Sequence, residues 1–375
     1  MSADTEQTES PLRIAVAGVL AGRARFHDSL LFHNKVTVAA ILDSDSRTAR
    51  IWSREFRTRP AVFTDLDSLF ASDAGIEAVL VATPVSERTA ILQNCALAGI
   101  ATLVDFPFAE SLNNIDDQIA LSAENHTIVW PCGDHLFQPA VTTMLRALER
   151  GDIGTPGRLK AEIGFPLTAQ CAMEYGADPI GLDWYELLQA VACRSAELAI
   201  RCLGTPVSVN ADIDLPRHAA IPGRIPSDPV ANLILTHEQG TSTHLLKLSR
   251  SVLHSERYLI AGDGGTLELT LRHGERAPTV DTGPIVRLHR IGARPETLYV
   301  STDESGDRIA AMEALIEAFA EGVRSGCSGG TITAARTAME AVHGAFLSAS
   351  EGIRIPLPMQ KLPDIEAMLE AGSRV

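Results

Sequence analysis

The chain has 375 residues, more than one ordinary hydrophobic core accommodates and enough for two. Hydrophobic residues make up 45% and charged residues 21%, so apolar material is sufficient for both cores. The formal net charge of −15 disfavours nucleic acid and anionic membrane surfaces as partners. Residues 1–10 form a polar, acidic tail without the basic and apolar regions of a signal peptide, and a cytoplasmic location is expected. No apolar run approaches the roughly 20 residues that span a bilayer. Six cysteines are scattered without a CxxC pair and read as small buried hydrophobes. The histidines lack HxxxH or HExxH spacing, and no metal site is expected. His237 and His244 could face each other across a hairpin, but two imidazoles alone make a poor metal site.

Along the chain, Leu12–Gly18 is an apolar run ending in glycine and reads as a buried strand. A helix is predicted over Arg23–Phe32, a strand over Lys35–Leu42, and helices over Ser46–Phe56 and Asp65–Ser72. Strand Glu77–Ala82, helix Ser86–Ala98, strand Ala101–Val104, helix Ser111–Asn125 and strand Thr127–Trp130 complete the series. This alternation implies parallel βαβ units, a Rossmann-like doubly wound sheet over 11–135. After Gly157 the rhythm changes. Arg158–Phe165 alternates like a half-exposed strand, and Leu187–Leu203 is helical. Val207–Ile213, Ala231–Thr236, Ser242–Ser249, Tyr258–Ala261, Thr266–Thr270, Ile285–Arg290 and Thr297–Ser301 read as strands. Helices Asp307–Arg324 and Thr333–Ser350 follow and could pack back on the first domain. The second domain, 136–375, is thus expected to be α+β, with a large open, mostly antiparallel sheet. Leu245, Leu246 and Leu248 suggest an apolar sheet face that would associate into a dimer or tetramer.

A dinucleotide site would need a glycine-rich turn after the first strand, so that the backbone can approach a pyrophosphate. From Gly18, a strict GxGxxG reading puts Leu20 and Arg23 at the later glycine positions; a looser one gives Gly18, Gly22 and Ala24. Asp43 ends the second strand. It is either a turn residue or an acceptor for both ribose hydroxyls, and the latter role selects NAD over NADP.

The runs EAVLVATP (Glu77–Pro84), VDFPFAES (Val104–Ser111) and RGDIGTPGRL (Arg150–Leu159) resemble the Gfo/Idh/MocA oxidoreductase family. So do YLIAGDGGTLEL (Tyr258–Leu269), AFAEGVRSG (Ala318–Gly326) and SEGIRIPL (Ser350–Leu357), in the same order. The resemblance implies an N-terminal NAD(P)-binding domain, a C-terminal sheet domain that often forms an oligomer face, and oxidation or reduction of a small carbonyl or alcohol. It also places Thr83, Pro84, Arg88, Asp105 and Pro107 near the dinucleotide.

The departures concern acid–base chemistry. The family's glutamate-lysine-proline signature falls on Asp105-Phe106-Pro107, and no lysine lies between Lys35 and Lys160. The family's aspartate and histidine positions hold Ala190 and Arg194, and the histidine after its threonine-proline turn is Arg88. Phenylalanine carries no titratable proton, and arginine keeps its own at any working pH. The remaining candidates for proton chemistry are Asp105, Asp134, His135, Asp183, Tyr185 and Glu197, of which His135 is the most natural shuttle by intrinsic pKa, with Arg194 polarising a carbonyl or holding an anion. Arg194, Tyr185 and Glu197 are candidate substrate contacts. For each, an ordinary ion pair or surface hydrogen bond is the competing account. Three functions remain open: an NAD(P)-linked oxidoreductase with rewired acid–base residues and a small, anionic substrate; a non-catalytic sensor or partner subunit that binds a dinucleotide or sugar; and a non-redox enzyme using the same cleft.

Overall fold

Strands that are largely apolar on both faces are buried between two layers, and the first sheet is built mainly from such strands. They are β1 (Leu12–Ala17), β2 (Val36–Leu42), β3 (Ala61–Phe63), β4 (Ala78–Val81), β5 (Ala101–Val104) and β6 (Val129–Pro131). All pair in parallel, in the order β3-β2-β1-β4-β5-β6. The crossover helices are α1 (Val19–Leu31), α2 (Ser46–Ser53), α3 (Leu66–Phe70), α4 (Val85–Leu97) and α5 (Leu112–Glu124). Asp45, Asp65 and Ser111 cap α2, α3 and α5 with side-chain oxygens on first-turn amides. The computed structural model describes residues 10–166, 184–214, 230–249, 254–273, 283–327 and 331–362.

One difference from the sequence reading bears on function. α1 begins at Val19, four residues before the expected Arg23. Gly18, at φ +91°, makes the whole turn by itself. An added Cβ there would lie 2.4 Å from the Ala82 carbonyl oxygen. Gly22 therefore sits inside the helix, where a Cβ would come 3.1 Å from Val16 Cγ1, and serves close helix–strand packing instead of a phosphate loop.

After α6 (Asp134–Phe137) and α7 (Pro139–Glu149), the chain enters a nine-stranded sheet. Its strands are β7 (Pro156–Pro166), β8 (Pro206–Asp214), β9 (Val230–His237), β10 (Thr241–Ser249), β11 (His254–Gly262), β12 (Gly265–His273), β13 (Ile285–Arg290), β14 (Glu296–Val300) and β15 (Ile355–Pro356). The order is β14-β13-β12-β11-β7-β10-β9-β8-β15, antiparallel except where β10 runs parallel to β7. The inner face packs on α8 (Trp184–Leu203) and α10 (Thr331–Glu351). The period-two alternation of β10 corrects the expected apolar face: Leu246 and Leu248 point into the core, and Leu245 points out at 40% exposure. Around Leu245 and Ile234 the outer face is charged, with Lys160–Glu162 at 2.6 Å and Arg257–Glu268 at 2.9 Å.

Both final helices return to the first domain. On α9 (Glu304–Ser325), Met312, Leu315, Ile316 and Phe319 join the core beside β1 and β2, and Phe319 meets Trp130 edge-on at 6.3 Å. On α10, Arg336 pairs with Asp116 of α5 at 2.8 Å. Among the described residues no helix is long and apolar enough to cross a membrane. Of the cysteines described, Cys95, Cys132, Cys193 and Cys202 are buried as expected, whereas Cys327 is exposed.

His237 and His244 do meet, through a buried chain of hydrogen bonds. The Gly204 carbonyl can only accept, so His237 donates to it from Nδ1, at 2.7 Å. Ser242 then donates to His237 Nε2 at 2.7 Å and accepts from His244 Nε2 at 2.8 Å. Ser195 completes the run by donating to His244 Nδ1 at 2.6 Å. Every link is satisfied with both rings neutral. Burial, reinforced by neighbouring His237, pushes His244 down to about 3, and burial alone takes His343 to about 4.

Two outcomes follow from this architecture. Gly18→Ala should cost at least about 2 kcal/mol in urea unfolding, because strain and overlap add. Gly99→Ala, at φ +71° with nothing within 4 Å of the new Cβ, should cost about half as much. Acid should also destabilise the fold. The folded pKa values of His244 and His343 lie below the unfolded value near 6.5, so the unfolded state binds more protons as pH falls. Unfolding free energy should therefore be level above pH 7 and drop by roughly 3 kcal/mol per pH unit near pH 5. Urea titrations at half-unit pH steps read this slope, and a level profile from pH 7 to 4.5 would contradict it.

Candidate functional site

The strand order reverses between β1 and β4, and such a switch point opens a crevice beyond the carboxyl ends of the strands. A cleft of about 450 Å³ lies there, lined by Gly18, Leu20, Asp43, Thr83, Pro84 and Glu87 among others. Asp43 leaves β2 and reaches back over the sheet edge. Its Oδ2 accepts from the Val19 amide at 2.7 Å and its Oδ1 from the Asp45 amide at 2.8 Å. The carboxylate is thus fixed beside the N-terminus of α1, whose first-turn amides at Leu20 and Ala21 also line the cleft. The close approach of Gly18 to Ala82 brings this helix end down onto the strand ends. Four of the residues read from the sequence as cofactor contacts, Gly18, Asp43, Thr83 and Pro84, share this cleft. Gly22 lies behind it, in the helix–sheet interface.

Arg88 has a different position. It is fully buried, and its guanidinium donates to the carbonyls of Thr83 (2.7 Å), Asp105 (3.1 Å) and Pro107. It ties the turn after β4 to the turn after β5. Phe106 stands within that second turn at 7% exposure, stacked edge-on against Phe108.

A charge cluster spans the two domains beyond β5 and β6. Arg25, on the sheet-facing side of α1, pairs with Asp105 and also reaches Asp134 at 3.3 Å. Arg194 on α8 closes on the same Asp134 oxygen at 2.8 Å. Burial opposes the charge on Asp134, but Arg194 and Arg25 outweigh it and hold the carboxyl down to about 2. Burial likewise opposes the charge on Arg25, and Asp105, Cys132 and Asp134 more than offset it. Arg25, Arg194 and Asp134 form one wall of a second cavity, about 640 Å³, between α1, α6, α8, α9 and β11. Leu20 lines both cavities. Among the described residues, the charged lining comprises Arg23, Arg25, Arg194 and Arg308 against Asp28 and Asp134, with His27 and His254 beside them. In a chain of net charge −15, this pocket is locally cationic.

The other sequence candidates cluster near it. His135 is 93% buried on α6, by its 7% exposure, and its Nε2 lies 3.4 Å from Glu197 Oε2 without hydrogen-bond alignment. Burial, with Arg194 adding, pushes His135 down to about 3. Burial pushes Glu197 up to about 7, against Arg194 and Arg201. On unfolding near pH 5, His135 gains a proton and Glu197 loses one, so the pair leaves the acid slope to His244 and His343. Ala24 lines the interdomain pocket rather than the cleft. Tyr185 falls on the first turn of α8, with its side chain outside the described residues. The sequence reading missed Arg25 and His254. A signal for Arg25 was present, since it follows buried Gly22 by three positions and precedes buried Ser29 by four, on the inward face of the helix.

Comparison with known proteins agrees with this geometry. The model of an oxidoreductase family with an NAD-binding Rossmann fold, Gfo/Idh/MocA, matches residues 12–132. A D-apiose dehydrogenase from Paraburkholderia graminis is 23% identical over 267 residues, covering 66% of this chain and 67% of that protein. A UDP-N-acetylglucosamine 3-dehydrogenase from Acidithiobacillus ferrooxidans is 26% identical over 125 residues, or 33% and 37% of the two chains. Among solved structures, an Agrobacterium radiobacter oxidoreductase in complex with NAD+, L-tartaric acid and magnesium superposes with a TM-score of 0.74 at 18% identity. That superposition covers 92% of this chain and 98% of the other. A Sinorhizobium meliloti protein described as a putative myo-inositol dehydrogenase gives 0.71 at 16% identity, with coverage of 92% and 99%. The match to the Gfo/Idh/MocA family model lies in residues 12–132, and the two-domain fold is shared with these solved structures over 92% of the chain.

Proposed function

We propose that this protein is an NAD-linked oxidoreductase for a small hydroxy or keto acid, with the substrate held in the interdomain pocket. The observation that carries the reading is the cationic lining of a pocket that adjoins the switch-point cleft through Leu20. A neutral sugar or polyol gives such a lining nothing to pair with, whereas a carboxylate does. Arg194 is the natural anchor, because its planar guanidinium keeps its charge and can meet a carboxylate edge-on.

The cleft suits the cofactor. Asp43 accepts from ribose hydroxyls and opposes a 2′-phosphate, so NAD is favoured over NADP. The first-turn amides of α1 face the pyrophosphate. Because Asp43 already engages Val19 and the turn is a single glycine, binding is weaker than in a loop with three glycines. NAD supplies the hydride acceptor or donor; this chain's residues bind, orient and exclude water. Phe106 makes an apolar wall where the family resemblance implies a lysine.

A second reading, a ligand-binding sensor or partner subunit without catalysis, is favoured by Phe106 and Arg194 at the family's lysine and histidine positions. Turnover separates the two. The outer sheet face, with Leu245 and Ile234 amid lysine, arginine and glutamate, is proposed as a self-complementary dimer face, given its opposite charges in alternation.

Calorimetry should show NADH binding at least tenfold tighter than NADPH, and Asp43→Ser should narrow that ratio; tighter NADPH binding would count against the assignment. In a panel of small acids, beginning with L-tartrate, and neutral polyols of similar size, NAD-linked turnover should favour the acids. Arg194→Lys should lower kcat/KM for the acids by about 10²-fold, in line with about 2–5 kcal/mol for a buried charged contact. Polyols turned over as well as acids would refute the substrate class. Turnover of nothing, with NADH still bound, would establish the sensor reading. Light scattering should give about twice the 40.1 kDa chain mass.

A further inference from the structure

A helix N-terminus serves an anion only where the anion can come close to its amides. In α1 the Val19 amide is taken by Asp43 at 2.7 Å, and the Gly22 amide by the Gly18 carbonyl at 3.1 Å. Gly18 caps the helix without a side chain, and the first turn holds no acidic residue. The amides of Leu20 and Ala21 are therefore what α1 can give a pyrophosphate. Among the described residues, the cleft lining holds Asp43, Asp65 and Glu87 but no lysine or arginine. The helix end is thus the source of positive field there, and whatever stands over it decides how well a pyrophosphate seats.

The side chains of the first turn are those of Val19, Leu20 and Ala21. Val19 is 2% exposed and packs in the core. Ala21 presents only a methyl group. Leu20 is 56% exposed, a large apolar side chain on the wall of the cleft. Every Cα–Cβ bond of an α-helix tilts toward the helix N-terminus, so a helical side chain covers the turn before its own. Leu20 is the second residue of α1 and has no helical turn before it. Its side chain therefore leans past the helix end, over the space an anion would take. That position agrees with its place in the linings of both cavities. Leu20 also occupies the position of the second glycine in a GxGxxG pattern counted from Gly18, the glycine that lets a backbone approach a pyrophosphate.

We infer that Leu20 is the residue that limits nucleotide affinity in this cleft, as an apolar cover on the N-terminus of α1. A phosphate oxygen kept from the Leu20 and Ala21 amides by a leucine side chain loses water on that side and gains no hydrogen bond. The adenosine half of a dinucleotide is held elsewhere, with its ribose at Asp43. The penalty falls on ligands that carry the pyrophosphate and spares adenosine.

The inference rests on the reading of the cleft as an NAD site, and it is tested by binding rather than turnover. Leu20→Ala removes the cover and keeps a strong helix former. Because Leu20 is exposed, the urea midpoint should not move. In calorimetry on the full-length protein, Leu20→Ala should bind NADH and ADP each about tenfold more tightly than the wild type, the scale of an anion gaining contact at a partly buried helix N-terminus. Adenosine affinity should stay within about twofold, because adenosine brings no phosphate to the helix end. Leu20→Met should stay within about twofold of the wild type for NADH and ADP, since methionine nearly keeps the volume of leucine. NADH and ADP bound no more tightly by Leu20→Ala than by the wild type would overturn the inference and leave the NAD reading standing. Adenosine tightening as much as ADP would also overturn it, because the effect would then lie away from the pyrophosphate. NADH bound by neither the wild type nor Leu20→Ala would overturn the NAD reading and the inference together.

Discussion

Two arginines and two aspartates, buried together where the domains meet, set the geometry on which the rest of the site depends. Arg25 comes from α1, Asp105 from the end of β5, Asp134 from the start of α6 and Arg194 from α8. The four formal charges cancel, which is the condition for burying them at all; removing one partner of such a set typically costs about 3–5 kcal/mol because the remaining charge stays uncompensated. The cluster pins α8 of the second domain to the strand ends of the first. That fixes both the width of the interdomain pocket and its cationic wall.

The same cluster bears on which side chains can stand after β5. A lysine at position 106 would add a cation next along the chain to Asp105, which already pairs with Arg25. A second cation there would be repelled by Arg25 and would have to share its carboxylates. Phe106 avoids that conflict and packs against Phe108 instead. Arg88, gripping three carbonyls from the two adjoining turns, holds the segment in place without a charged partner in the cleft. Near the strand ends, the fixed charges of Arg88 and Arg194 thus stand beside the apolar packing of Phe106.

The parallel sheet was legible in the sequence because its strands are apolar on both faces, and runs such as VTVAAIL and EAVLVA have no other stable use. The edge strand β3, three partly exposed residues long, left no such pattern. α1 was placed late because Gly18 turns the chain alone, which only its contact with Ala82 reveals. β11 was read from Tyr258 because His254 and Glu256 break the apolar alternation, although they share its inward face. The place of Asp43, Thr83 and Pro84 in the cleft was legible because it follows from position at a strand end. Arg25 and His254 were not, because their partners are decided by tertiary neighbours. Arg25 meets Asp105 and Asp134 across 80 and 109 positions, and no local pattern encodes that meeting. Leu245, Leu246 and Leu248 do not share one face, because successive residues of a strand point to opposite sides.

A site rebuilt around arginine divides its labour differently from one built on lysine and histidine. Lysine and histidine can hold a substrate and exchange its proton with one side chain. Arginine can only hold. Anion binding and proton transfer must then sit on separate residues. In this fold the arginines come from helices α1, α8 and α9, whereas His254, Glu256 and Tyr258 come from the inner face of a strand. A strand flanked on both sides, by β7 and β12, holds its side chains in fixed directions. The longer, flexible stems of the arginines suit groups that need only deliver charge. The register of β11 against β7 and β12 fixes the inward face that carries His254, Glu256 and Tyr258.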